Sequence, residues 1–174
     1  DLGGFVASTY QRGISFVNIP TTLLSMVDAP VGGKTGEDLG TLKNQIGVIR
    51  NPDLVLIRAG YLATLAQRQV RSGFAEMLKH GLIADRGYWD ELKGLQELKG
   101  LDRWIYHSVL IKNDVVISDP HEGGRRKILN FGHTLGHALE SYFLDSSQRE
   151  PLLHGEAIAI GMILEAYLSV DTCG

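Results

Sequence analysis

Pro52-Asp53-Leu54-Val55-Leu56-Ile57-Arg58-Ala59-Gly60-Tyr61-Leu62 is where the chain changes character. Up to Gly60 it reads as a short apolar strand, Asp53 to Ile57, bounded by a proline and a glycine. From Leu62 onward the apolar residues recur at helical spacing, strand signals stop and proline is scarce. The fold class that follows is an α/β part over residues 1–60 and an α-helical part over residues 61–174.

Upstream of the switch, Ile14 to Ile19 is β-branched and aromatic and is closed by Pro20, which predicts a buried strand. Thr21 to Met26 turns into a short helix capped by Thr21 or Thr22. Val31 to Gly36 is so glycine-rich that a loop is expected, and Val6 to Arg12 continues a helix opened by a turn at Gly3-Gly4. Downstream, helices are predicted over Gln67 to Leu82, Tyr88 to Leu98, Asp102 to Val116, His133 to Phe143 and His154 to Ser169. The chain starts without Met on a stretch that reads like the inside of a glycine-rich turn, so a longer protein is expected on both sides.

Apolar residues make up 44% of the 174, enough for a core without disulfides or a structural metal. The net charge of −3 offers no basic field for nucleic acid or an anionic membrane. A phosphate-bearing ligand must then be held by local basic side chains. The single cysteine, Cys173, rules out an internal disulfide and fits a reducing compartment, and no apolar run is long enough for a membrane span. A cytoplasmic protein is expected.

His133 and His137 stand four apart in Asn130-Phe131-Gly132-His133-Thr134-Leu135-Gly136-His137, on one face of a predicted helix. The spacing fits a ligand pair and two ordinary histidines equally well. The zincin hydrolase pattern is excluded, because Thr134 stands where it needs Glu. A divalent ion would need a third ligand, and Glu76 and His154 are polar groups inside apolar stretches. Glu76 could equally pair with Lys79 or His80 or face solvent, and His154 could be an exposed helix start. Gly32-Gly33-Lys34-Thr35 resembles the end of a phosphate loop but lacks its opening glycine; one lysine on a glycine-rich loop can still hold an anion. Arg125-Arg126-Lys127, with Lys112 and Glu122, reads either as a solvated basic run or as a cradle for phosphate or carboxylate.

Taken in order, these pieces resemble the 3-dehydroquinate synthase family. The resemblance rests on Asp1 to Phe5, Ile19-Pro20-Thr21-Thr22-Leu23-Leu24, Val27-Asp28 with Val31 to Gly36, and Lys43-Asn44 with Ile46-Gly47. It continues through Ser72-Gly73 with Ala75-Glu76 and Lys79, Ile111-Lys112 with Asp114 to Val116, and Glu122 with Gly124 and Arg126. Leu129 to His133, Gly136-His137-Ala138 and His154-Gly155-Glu156-Ala157 complete it. It implies the last part of an NAD-binding α/β domain followed by a helical metal-binding domain.

The resemblance implies metal ligands Glu76, His133 and His154, for zinc or alternatively cobalt. It implies substrate contacts from Arg12, Asp28, Lys34, Asn44, Lys79, Lys112, Arg126 and Asn130. His137 and Glu122 would move protons, with Lys79 and Lys112 also in the catalytic set, and Asp1, Thr21, Thr22, Lys43 and the stretch Tyr61 to Thr64 would lie against NAD. The implied activity converts 3-deoxy-arabino-heptulosonate 7-phosphate to 3-dehydroquinate and phosphate, in the shikimate pathway. NAD transiently oxidises a hydroxyl, phosphate leaves by elimination, the hydride returns and an intramolecular aldol step closes the carbocycle. A homodimer is expected, and this stretch alone is expected to be inactive. Departures from the family pattern fall at Ala29-Pro30, at Leu42 and in the connection Ser146 to Pro151, and none removes a chemical group.

Rival readings are a related cyclase of sedoheptulose or hexose phosphates, which would alter the positions of Arg126 and Asn130, and a glycerol dehydrogenase-type enzyme. A stand-alone metal-binding helical module is a non-enzymatic alternative.

Overall fold

The computed structural model of the chain describes residues 2–29, 31–39, 42–146 and 149–173. The elements run α1 (Leu2–Thr9), β1 (Val17–Asn18), α2 (Leu23–Val27), β2 (Lys34–Leu39), β3 (Leu42–Ile49), β4 (Leu54–Val55), α3 (Gln67–Ala84), α4 (Arg86–Lys93), α5 (Asp102–Ser118), α6 (His133–Asp145) and α7 (His154–Cys173). All strands described lie before residue 60, and the helical half follows.

β1 pairs with β4 in parallel, Val17 against Leu54, and β2 pairs with β3 in an antiparallel hairpin, Lys34 against Ile49. The hairpin corrects the expected loop over Lys34 to Gly36, while Val31 to Gly33 stays outside the strands as expected. Gly36 sits opposite Gly47, where a side chain on Gly47 would meet the Thr35 carbonyl at 2.1 Å. A glycine at position 47 is what lets these strands close there. Three smaller corrections stand beside it. Gly3 and Gly4 lie inside α1 rather than in a turn before it. The Ile14 to Ile19 strand shrinks to two residues, with Val17 exposed rather than buried. The helix expected over Tyr88 to Leu98 ends at Lys93, where Gly94 follows.

The core lies where α2, α3, α4 and α5 meet. Leu23, Met26 and Val27 of α2 pack with Val70 and Met77 of α3, Tyr88 and Leu92 of α4, and Ile105 of α5. Burial of each large side chain stabilises by roughly 1.5–3 kcal/mol. α2 is only five residues long, and Thr22 and Ser25 cap it reciprocally: each side-chain oxygen accepts from the other's backbone N–H. Asp85 caps α4 through the Tyr88 N–H at 3.0 Å.

Two close approaches bring α3, α6 and α7 together. A side chain on Gly155 would meet the Ser72 carbonyl at 1.8 Å, so the start of α7 lies directly on α3. A side chain on Gly161 would meet the Gly132 carbonyl at 2.0 Å, so the start of α6 lies on α7. The three helices thus converge near Glu76, His133 and His154. Among the described residues no helix is long and apolar enough to cross a membrane.

Candidate metal and substrate site

Glu76 is fully buried on α3. Its Oε1 lies 3.7 Å from Nε2 of His133 and 3.7 Å from Nε2 of His154. Its Oε2 lies against the Lys79 ammonium, one turn along the same helix, yet neither oxygen takes part in a well-directed hydrogen bond. Burial opposes ionisation of Glu76, but Lys79 and the two histidines outweigh it and hold the carboxyl well below its usual range. A buried carboxylate of this kind is expensive unless something ligates it.

The outer nitrogens of both histidines are engaged. Nδ1 of His133 faces the Phe131 carbonyl at 3.2 Å, which can only accept, so Nδ1 carries a proton and Nε2 offers its lone pair toward Glu76. Nδ1 of His154 faces Oε2 of Glu140 at 3.4 Å. Burial, with Lys79 nearby, pushes His133 down to about 4. Burial also works against a charged His154, but the Glu140 and Glu76 carboxylates prevail and carry it up to about 9. Ligand atoms about 2.1 Å from a tetrahedral ion lie about 3.4 Å apart, so the 3.7 Å separations suit one small cation with little movement. His137 completes the cluster, its ring centroid 5.2 Å from that of His133 and 5.8 Å from that of His154. The ring nitrogens of His133, His137 and His154 also fall within 4.8 Å of one another.

Above this cluster opens a cavity of about 1060 Å³, lined by Thr22, Asp28, Lys34, Lys79, Lys112, Glu122, Arg126, Asn130 and the three histidines, among others. Its cations are already partnered. Lys112 donates to the Asp28 carbonyl at 2.6 Å and to the Asp28 carboxylate; burial opposes ionisation of Asp28, but Lys112 keeps its carboxyl below the usual range. Lys34 pairs with Glu122, which also accepts from Asn130 at 2.7 Å. Arg126 is buried and donates to the carbonyls of Pro120 at 2.8 Å and Gly32 at 3.4 Å, which ties the helical half to the turn before β2. Of the basic run, Arg126 alone turns inward. Arg125 pairs with Asp114 on the surface and Lys127 is exposed.

Other expected site residues are not brought together here. Arg12, Thr21, Tyr61 and Thr64 are exposed and do not line the cavity. Asp1 lies outside the described residues, as do the side chains of Lys43 and Asn44.

Several organising residues carried no role in the sequence reading. Asp119 accepts from the backbone N–H groups of Gly123, Gly124 and Arg126 at 2.9, 2.7 and 3.0 Å, and these bonds hold its carboxyl below its usual range. It thereby shapes the turn in which Glu122 adopts a left-handed φ of 58° and Arg126 points inward. An Asp shortly before Gly-Gly is the available signal for such a turn. Glu140 could have been noticed as an acid one turn beyond His137 on the same helix. Glu165 of α7 accepts from Gly132 N–H at 2.7 Å and Leu135 N–H at 3.1 Å, so it caps α6 from another helix; nothing local in the sequence marks it. His80 is buried with Nδ1 2.6 Å from Ser108 Oγ, and burial pushes it to about 4.

Two family models match: 3-dehydroquinate synthase N-terminal over residues 1–72 and 3-dehydroquinate synthase C-terminal over residues 73–173. The chain is 49% identical over 174 residues to the 3-dehydroquinate synthase of Streptococcus pyogenes serotype M49, covering 98% of this chain and 48% of that protein. It is 44% identical over 178 residues to the 3-dehydroquinate synthase of Parabacteroides distasonis, covering 100% of this chain and 50% of that protein. The chain therefore spans about half the length of the curated relatives it matches. Among solved structures, the 2-epi-5-epi-valiolone synthase of Streptomyces hygroscopicus with NAD+ and Zn2+ bound superposes with a TM-score of 0.86 at 34% identity, over 98% of this chain and 48% of that one. A 2-deoxy-scyllo-inosose synthase complexed with carbaglucose-6-phosphate, NAD+ and Co2+ gives a TM-score of 0.85 at 29% identity, over 99% of this chain and 48% of that one. With family models matching end to end and the α/β-then-helical architecture in place, this chain belongs to the 3-dehydroquinate synthase family.

Proposed function

We propose that this chain is the metal- and substrate-holding part of a 3-dehydroquinate synthase, a carbon–oxygen lyase acting on 3-deoxy-arabino-heptulosonate 7-phosphate. The observation that carries the reading is the convergence of Glu76, His133 and His154 beneath a cavity whose cations are Lys34, Lys79, Lys112 and Arg126. The residues fit a divalent ion: a buried carboxylate without a directed hydrogen bond faces two imidazole nitrogens whose opposite nitrogens are engaged. Zinc suits this mixed N/O donor set, and cobalt is the alternative. Of the residues assigned to NAD, Thr22 lines the cavity while Thr21, Tyr61 and Thr64 stand outside it, so the described residues alone do not enclose a dinucleotide. The domain boundary is proposed at residue 60, beyond the last described strand, Leu54–Val55.

In the full-length enzyme the ion supplies polarisation of a substrate hydroxyl, and NAD supplies a hydride acceptor and donor. This chain's own residues bind and orient. Lys34, Lys112 and Arg126 hold phosphate and carboxylate, Lys34 and Lys112 by exchanging carboxylate partners and Arg126 by exchanging backbone carbonyls. Asn130 fixes Glu122, and Glu122 and His137 hold or move protons at the substrate oxygens. Lys79 keeps Glu76 ionised. Orienting one flexible substrate is the larger task. The enzyme is proposed to work as a cytoplasmic homodimer. Apolar side chains exposed on α1 and α7, among them Leu2, Val6, Ile163 and Tyr167, support burial against further protein.

Phosphate release by the full-length protein with NAD and zinc tests this function. Release from the heptulosonate substrate is expected. Turnover of a sedoheptulose phosphate with none of the heptulosonate would move the protein to the related cyclases, and inactivity of the 174-residue chain alone is expected in either case.

A further inference from the structure

Arg68 sits in the first turn of α3, eight residues before Glu76. Its Nε donates to Glu156 Oε1 at 2.7 Å and one terminal nitrogen donates to Glu156 Oε2 at 2.8 Å, a two-pronged contact to a single carboxylate. That terminal nitrogen also donates to the Pro151 carbonyl at 3.0 Å, and the other pairs with Glu150. Glu156 in turn accepts from the Leu153 N–H at 2.9 Å, the residue just before His154. On the opposite side, the Gly155 N–H donates to Ser72 Oγ at 2.9 Å. His154 therefore stands between two cross-links from α3, the helix that also carries Glu76.

The Arg68 side chain is 41% exposed and that of Glu156 29%, and partly exposed ion pairs contribute little to global stability. A planar fork on a carboxylate fixes distance and twist together, which a lysine cannot do. We infer that Arg68 and Glu156 form a positioning pair that sets His154 against Glu76 and, with it, the affinity of the metal site. The pair acts through His154 and touches neither ion nor substrate. This inference rests on the metal reading above.

The test uses wild type, Arg68→Ala, Arg68→Lys, Glu156→Gln and the double variant Arg68→Ala/Glu156→Gln. Zinc affinity is read by competition with a chelator, unfolding by heating the metal-free protein, and placement of His154 from its ring-proton resonances without metal. Each single variant is expected to weaken zinc by roughly 10–100-fold, the size usual for a partner behind a ligand. Arg68→Lys should recover part of that loss, and the double variant should be no worse than the poorer single one. The metal-free midpoint should stay near wild type while the His154 resonances move. Equal zinc affinity and unmoved resonances in all variants overturn the inference, as do affinity losses that merely track lowered midpoints. If wild type binds no zinc yet the His154 resonances move in the variants, the metal reading fails and the positioning stands.

Discussion

Oε1 of Glu76 lies as far from Nε2 of His133 as from Nε2 of His154, 3.7 Å in each case, although the three residues come from three different helices. Both separations suit one shared ion. Glu76→Gln keeps the shape but removes the charge, and leaves Lys79 without its carboxylate. Zinc affinity is expected to fall by more than the roughly 100-fold upper range for residues behind a ligand, measured by chelator competition.

His133 and His137 separate by substitution. His133→Ala should lower both zinc content and turnover of the full-length protein. His137→Ala should lower turnover more than zinc content, because Glu76 faces His133 and His154. Metal analysis of the purified variants beside a phosphate-release assay measures both, and equal zinc loss in the two would place His137 among the ligands.

Protonation of His154 predicts a pH dependence. Its folded value is raised to about 9 from 6.5, so the stabilisation given by its charged form is complete below about pH 6.5 and is lost as pH rises through about 9. An ion needs the neutral ring, so zinc binding in that window should release a proton, and affinity should climb with pH by up to about tenfold per unit. His133, pushed to about 4, is neutral throughout and adds nothing. Calorimetry in buffers of different ionisation enthalpy counts the proton.

Glu165→Ala removes the cap that α7 lends to α6 at Gly132 and Leu135. A cost of about 1 kcal/mol is expected, the usual value of a lost cap. Hydrogen exchange at those two amides should quicken more than elsewhere in the helix.

Gly155→Ala places a carbon 1.8 Å from the Ser72 carbonyl. Overpacking of this kind costs about 1–3 kcal/mol. At about 2–4 °C per kcal/mol for a chain of this size, the metal-free melting point should drop by several degrees.

Much of the helical half was legible because its apolar spacing is long and regular, and α3, α5, α6 and α7 start within a residue of where the sequence places them. The β2–β3 hairpin was not, because Lys34-Thr35-Gly36-Glu37 carries no apolar alternation and its strands are held together by their own ladder. Glu76 stood out as an acid in an apolar stretch, but only the resemblance preferred it to a surface ion pair. Arg125 and Arg126 are neighbours of identical chemistry, and the three backbone bonds to Asp119 decide which one turns inward. Such a choice is made by the turn and leaves no mark in residue type.

The pairing of Lys34 with Glu122 and of Lys112 with Asp28 has one more consequence. With carboxylate counterions built into its walls, the cavity is not a strongly electropositive hole. An arriving anion must compete with charges already in place. A singly charged ion such as chloride gains little from that contest, whereas a ligand carrying both phosphate and carboxylate can win at several positions at once. On the proposed reading, discrimination against small anions would be set before any bond in a substrate is touched.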